Sequence, residues 1–242
     1  MINRIKAVFL PGKLCDQRLW TEVMNALSDI IDLIFVDLRS QHTLDEMLDD
    51  VYNAYEEKFI LVGFSLGGYI AQEFALKYPK KILSLALIGV SADEYSDEEK
   101  LKQIKFIENA KQVGFKGLSD IAIRKFIHPS RYQDEKLVEL IKDMAKKSGA
   151  EAFICQHLAT MNRRSRLTDL AKVNCPTIIV ASREDQAVPL ALIEKMSHNM
   201  PEAELEIIDN CGHMIPLEQP EELSSILKTW IKKTYLSKKN NE

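Results

Sequence analysis

Short apolar runs alternate along this chain with longer stretches in which apolar residues return every three or four positions. The first run, residues 5–10, reads as a strand that turns at Pro11-Gly12. A helix follows from near Asp16 and carries Leu19, Trp20, Val23 and Leu27 on one face. Residues 32–37 predict a second strand. The next helix, over 44–57, is opened by Thr43 and Glu46 at capping-box spacing. Residues 59–62 are apolar throughout and predict a third strand, buried on both faces. A helix over 69–76 stops before Pro79, and 82–88 predict a fourth strand.

The pattern changes over residues 91–170, where no strand signal appears. Ser96 and Glu99 form a capping box ahead of Leu101, Ile104, Ile107 and Val113, and helical periodicity returns over 118–127, 135–147 and 150–161. Cys175-Pro176 then introduces a strand over 177–181. A helix over 190–200, a strand over 205–208 and a helix over 220–235 follow, and 236–242 read as a polar, frayed tail. This order predicts an α/β fold with a doubly wound, mostly parallel sheet. Residues 1–90 and 171–242 form the core, and residues 91–170 an inserted α-helical cap. In such sheets ligands sit beyond the carboxyl ends of strands, so chemistry is expected just after them.

Three residues stand there. Ser65 is the centre of Gly63-Phe64-Ser65-Leu66-Gly67, a G-x-S-x-G element set between a strand and a helix. Asp185 follows the strand over 177–181, and His213 follows the last strand. A serine hydroxyl is a weak nucleophile at neutral pH unless an imidazole takes its proton. A carboxylate fixes the tautomer of that imidazole and stabilises its positive charge. Glu184 is a neighbouring candidate for the acid, and Asp209 reads as a turn residue. His42, His128, His157 and His198 read as surface or cap residues, with His157 the one that would face a pocket. Cys15 and Cys211 lie near the expected site and read as packing residues, as does Trp20.

With these positions in hand, the chain resembles the α/β-hydrolase superfamily over nearly its whole length. The likeness rests on Leu10-Pro11-Gly12, Asp37-Leu38-Arg39, the element at 63–67, the loop at Asp185, and the run from Gly212-His213 to Gln219-Pro220. It implies catalysis by Ser65, Asp185 and His213. It also implies an oxyanion hole made by the backbone N–H of Leu66 and that of Lys13, with Leu14 the alternative to Lys13. Relatives commonly carry His-Gly where this chain has Pro11-Gly12, and many begin with a β-hairpin for which there is no room here. The sheet is therefore expected to have about six strands.

Composition narrows the partners. The 242 residues carry 32 basic and 36 acidic side chains, a net charge of −4, which speaks against a dedicated nucleic-acid surface. No apolar stretch is long enough to span a bilayer, and no secretory leader is evident. The four cysteines show no metal-ligand spacing, so a reduced, cytoplasmic protein without a metal or organic cofactor is expected. The cap ends in Met161-Asn162-Arg163-Arg164-Ser165-Arg166. Its arginines read either as a solvated helix end or, for Arg163 or Arg164, as a grip on a substrate carboxylate or phosphate. The expected function is cleavage of a small carboxylic ester through an acyl-enzyme, by a monomer or homodimer acting on a small molecule. The alternatives are the same triad acting on a C–C bond, lactone or thioester, and a non-catalytic ligand-binding member of the fold.

Overall fold

The computed structural model describes residues 4–239. Among them six strands, β1 (Ile5–Leu10), β2 (Ile31–Phe35), β3 (Phe59–Phe64), β4 (Ile82–Ile88), β5 (Thr177–Ser182) and β6 (Ala203–Ile208), form one sheet in the order β2-β1-β3-β4-β5-β6. All five pairings are parallel. The central strands explain why the sequence shows unbroken apolar runs: every residue of β3 and β5 is buried. In β6, at the edge, burial alternates instead.

Ten α-helices among the described residues accompany the sheet: α1 (Thr21–Leu27), α2 (Leu44–Asn53), α3 (Leu66–Lys77), α4 (Asp97–Val113), α5 (Asp120–Ile123), α6 (Glu135–Met161), α7 (Leu167–Leu170), α8 (Leu190–His198), α9 (Ile215–Glu218) and α10 (Pro220–Lys239). None is long and apolar enough to cross a membrane. Side chains alternate across the strands. Ala7, Phe9, Val62 and Ile88 enter one core, where they meet Val23 and Leu27 of α1 and Leu223, Leu227 and Trp230 of α10. Val8, Leu10, Leu61 and Leu87 enter the other core with α2, α3 and α8. Trp20 is fully buried, edge-on to Phe9 at 5.1 Å and to Phe64 at 6.5 Å.

Several boundaries move. The first helical segment is a 3-10 turn (Gln17–Trp20) capped by Asp16, followed by α1. The helix expected over 44–57 ends at Asn53, where the chain becomes polar at Glu56-Glu57. Over 118–127 only Asp120–Ile123 is helical. The two helices expected over 135–147 and 150–161 join as α6, interrupted at Gly149 (φ 77°, ψ 179°), a conformation open to glycine. The expected frayed tail begins too early, because α10 continues to Lys239; residues 240–242 lie outside the described residues, as do 1–3. Between β4 and β5 the described chain forms α4 to α7 and no strand.

Candidate active site

Strand β3 delivers Ser65 at its carboxyl end, and α3 begins at the next residue. Ser65 adopts φ 51°, ψ −110°, a region that L residues rarely occupy. The turn is tight enough that a Cβ at Gly63 would run into the Gly67 carbonyl, and one at Gly67 into the Leu10 carbonyl. Both positions therefore require glycine. The Ser65 N–H donates to Ile88 O at 2.9 Å and the Gly67 N–H to Pro11 O at 2.9 Å, which ties the turn to β4 and to the loop after β1.

His213 and Asp185 arrive from the loops after β6 and β5. His213 Nδ1 lies 2.7 Å from Asp185 Oδ2, and His213 Nε2 lies 2.9 Å from Ser65 Oγ. A carboxylate only accepts, so Nδ1 carries the proton and the Nε2 lone pair faces the serine hydroxyl. Asp185 Oδ1 accepts the N–H groups of Ala187 and Val188, both at 2.8 Å, which fixes the carboxylate. Asp185 and His213 are buried, while Ser65 keeps partial contact with solvent. The neighbouring acids stand elsewhere: Glu184 accepts from the Cys211 N–H, and Asp209 pairs with Arg183.

The imidazole is held from behind as well. Its ring centroid lies 5.0 Å from that of Phe64 and 6.0 Å from that of Phe126. The backbone N–H groups of His213 and Met214 both donate to Phe126 O, at 2.8 and 3.0 Å. Glu218 is buried beneath this loop. Its Oε1 accepts from Gly212 N and Met214 N, each at 3.1 Å, and its Oε2 accepts from His128 N at 2.6 Å. Burial pushes the Glu218 carboxyl above its ordinary pKa, and these donors pull it back. Gly212 is required where it stands, because a Cβ there would press on the backbone of Ile127 and His128.

Leu66 and the loop after β1 border the serine. Leu66 is the first residue of α3, so the helix itself offers its N–H no partner. Across from it, Gly12 packs against the serine: a Cβ on Gly12 would lie 3.5 Å from that of Ser65. The chain then turns tightly, with Cys15 N–H donating to Gly12 O and Leu14 at φ 58°. The Leu14 N–H is engaged by Gln156 Oε1 of α6 at 2.9 Å. Among the described residues the Lys13 N–H has no such acceptor. Gln156 also donates through Nε2 to Leu38 O at 2.8 Å.

The other expected residues separate clearly. His157 is buried on α6, donates from Nδ1 to Phe153 O at 2.7 Å, and is lowered to about 3 by burial and by the charge of Lys13. His42 sits beside Cys155 at 3.2 Å, and His198 is exposed. The Cys15 thiol is raised to about 12 by burial, and burial also raises that of Cys211. Neither is a thiolate at neutral pH. Among the described residues no group of three or more His, Cys, Asp or Glu side chains is arranged to hold a metal ion. Arg164 is exposed, whereas the Arg163 guanidinium lies 4.1 Å over the Tyr95 ring. Arg166 binds Glu73 at 2.6 and 2.7 Å. The sequence reading gave no role to Glu218, Gln156 or Phe126. Glu218 had a signal, a carboxylate inside an otherwise apolar run, whereas Gln156 had none beyond its helical face.

A model of the alpha/beta hydrolase family matches residues 7–226. Monoacylglycerol lipase ABHD6 of Bos taurus is 20% identical over 246 residues, spanning 91% of this chain and 73% of the relative. A solved thermophilic esterase from Thermogutta terrifontis superposes with a TM-score of 0.86 at 23% identity, over 96% of this chain and 90% of that one. The enol-lactonase from Burkholderia xenovorans LB400 gives a TM-score of 0.86 at 17% identity, over 95% and 92%.

Proposed function

The chain belongs to the alpha/beta hydrolase family, and from that premise we propose that it is a serine hydrolase cleaving carboxylic esters through an acyl-enzyme. The observation that carries this reading is the continuous relay from Asp185 through His213 to the hydroxyl of Ser65, with spacings of 2.7 and 2.9 Å. Ser65 Oγ attacks the ester carbonyl while its proton passes to His213 Nε2. Asp185 stabilises the imidazolium that forms. The tetrahedral oxyanion takes hydrogen bonds from the N–H groups of Leu66 and Lys13. Its collapse breaks the bond to the alkoxy oxygen, which leaves as the alcohol with the proton from His213. Water then repeats the sequence on the acyl-enzyme and frees Ser65. In this reading Asp185 and His213 do not touch substrate carbon, and no metal or organic group takes part.

The helical segment over 91–170 serves as the cap, shaping the pocket and limiting water at the acyl-enzyme. The names of the bovine lipase and the thermophilic esterase, both ester-cleaving, favour this bond type. Fluorophosphonate labelling with intact and peptide mass spectrometry tests the reading. One adduct per chain on Ser65, absent from Ser65→Ala, is expected. A folded wild type that binds small molecules but takes no label would move the protein to the ligand-binding members of the fold.

A further inference from the structure

The chemistry above uses the backbone of Lys13 and leaves its side chain without a task. That side chain, on the loop after β1, is partly withdrawn from water, and among the described residues no carboxylate pairs with it. Its charged neighbour is another cation, Arg163, and its titratable neighbour, His157, is neutral. Arg163 is equally short of an anion. It rests on Tyr95, and its Nε is shielded from water with no hydrogen-bond acceptor among the described residues. By contrast, Arg18, Arg39, Arg131, Arg166 and Arg183 each hold an aspartate or glutamate. The positive charge of Arg163 also reaches the buried hydroxyl of Tyr69, one helical turn beyond Ser65.

Two basic side chains set near one another in a partly dry place, with no anion between them, oppose folding when both are charged. The arrangement becomes favourable when an anion enters. Its place in the fold says what kind of anion. Lys13 follows the glycine that packs against Ser65, and Arg163 lies just beyond the carboxyl end of α6, which also supplies Gln156 and His157. A guanidinium without a carboxylate partner presents a planar fork of donors, the match for the two oxygens of a carboxylate.

We propose that Arg163 and Lys13 form a carboxylate-binding subsite beside Ser65, so that the substrate is an ester bearing a second, free carboxylate, such as a half-ester of a dicarboxylic acid. The proposal rests on the serine-esterase reading. Binding places the ester carbonyl at Ser65 by holding the far end of the acyl chain, and it offsets the repulsion between the two basic groups. Arg164, exposed and outside this pair, takes no part.

The test compares monomethyl succinate, glutarate and adipate with methyl butanoate, pentanoate and hexanoate, read as methanol release. Wild type, Arg163→Met, Arg163→Lys and Lys13→Met are used, each checked for fold by circular dichroism. Calorimetric titration with the free dicarboxylates runs alongside. Wild type is expected to favour at least one half-ester over its neutral counterpart by about tenfold or more in kcat/KM. Arg163→Met is expected to lower that ratio by about 10- to 100-fold, chiefly through KM, with partial recovery in Arg163→Lys. A dicarboxylate is expected to bind wild type and to lose binding in Arg163→Met. A folded Arg163→Met with an unchanged ratio and unchanged dicarboxylate binding overturns the subsite and leaves the esterase standing. Dicarboxylate binding that depends on Arg163, in a protein that cleaves no ester, sustains the subsite and removes the esterase reading.

Discussion

Replacing Glu218 by glutamine removes one charge and half of the acceptor capacity beneath the His213 loop. The carboxylate receives two N–H groups on one oxygen, from the residues on either side of His213, and a third on the other, from His128. Glutamine keeps one acceptor oxygen, so in either orientation an NH2 group faces a backbone N–H that has lost its partner. A hydrogen bond to a charged group contributes about 1.5–3 kcal/mol, and a stranded buried donor costs about 1–3 kcal/mol. The neutral amide recovers part of this, because burial already works against the charged form. The expected net loss is about 2 kcal/mol, which for a chain of this length lowers Tm by roughly 4–8 °C. Glu218→Ala strands the N–H groups of Gly212 and His128, leaves that of Met214 on Phe126 O alone, and costs about 4 kcal/mol. Since the loop carries His213, kcat on an ester substrate falls in Glu218→Gln while KM changes little. Thermal and guanidinium melts read the first effect, and steady-state kinetics the second. A Glu218→Gln protein that melts within about 1 °C of wild type would refute the claim that these bonds hold the loop.

Other substitutions probe the same machinery from different sides. Ser65→Gly removes the hydroxyl and relieves the positive φ, so it should abolish fluorophosphonate labelling while raising stability by about 0.5–1 kcal/mol; a lower Tm than wild type would contradict the strain at this position. Gly67→Ala drives a methyl group into the Leu10 carbonyl and should cost about 3 kcal/mol or more, seen as a shifted denaturation midpoint; a neutral result would mean that α3 slides freely on β1. Lys13 titrates at about 7 in the fold, lowered from 10.5 by burial and then by Arg163, with His157 neutral beside it. Between these values the unfolded chain binds the extra proton, so wild-type stability rises with pH relative to Lys13→Met. The gain should be about 2 kcal/mol between pH 7 and 10.5, less than the full shift because some solvent reaches the side chain; a difference that stays flat with pH would oppose the burial of that charge.

The sheet was legible because central strands of a doubly covered sheet have no polar face to confuse the pattern. Residues 59–62 and 177–181 declared themselves, and the chain order of Ser65, Asp185 and His213, after β3, β5 and β6, could be read directly. Edges were harder. The strand expected over 32–37 runs from Ile31 to Phe35, and its partly exposed residues carry a weaker pattern. Short helices such as α7 and α9, of a single turn each, fall below the length at which periodicity can be read. Within the site, the sequence reading named groups with chemistry of their own and missed groups that act by holding others. Phe126 contributes a carbonyl, which any residue has, and Gln156 matters only because folding brings Leu14 and Leu38 to either side of it. The choice between Lys13 and Leu14 likewise turns on where Gln156 points, a contact across 142 positions.

Gln156 is a two-ended peg, bonded to the loops after β1 and β2 and closed off from water. Lifting the second half of α6 would pull both ends at once and strand a donor and an acceptor. At about 1–3 kcal/mol for each, the lifted arrangement holds a few per cent of the molecules at most. Opening of this half is therefore costly. The break at Gly149 separates it from the first half of α6, which does not carry the peg. On the proposed function, the second half of α6 is expected to stay in place, and any motion of the helix to fall to the half before Gly149.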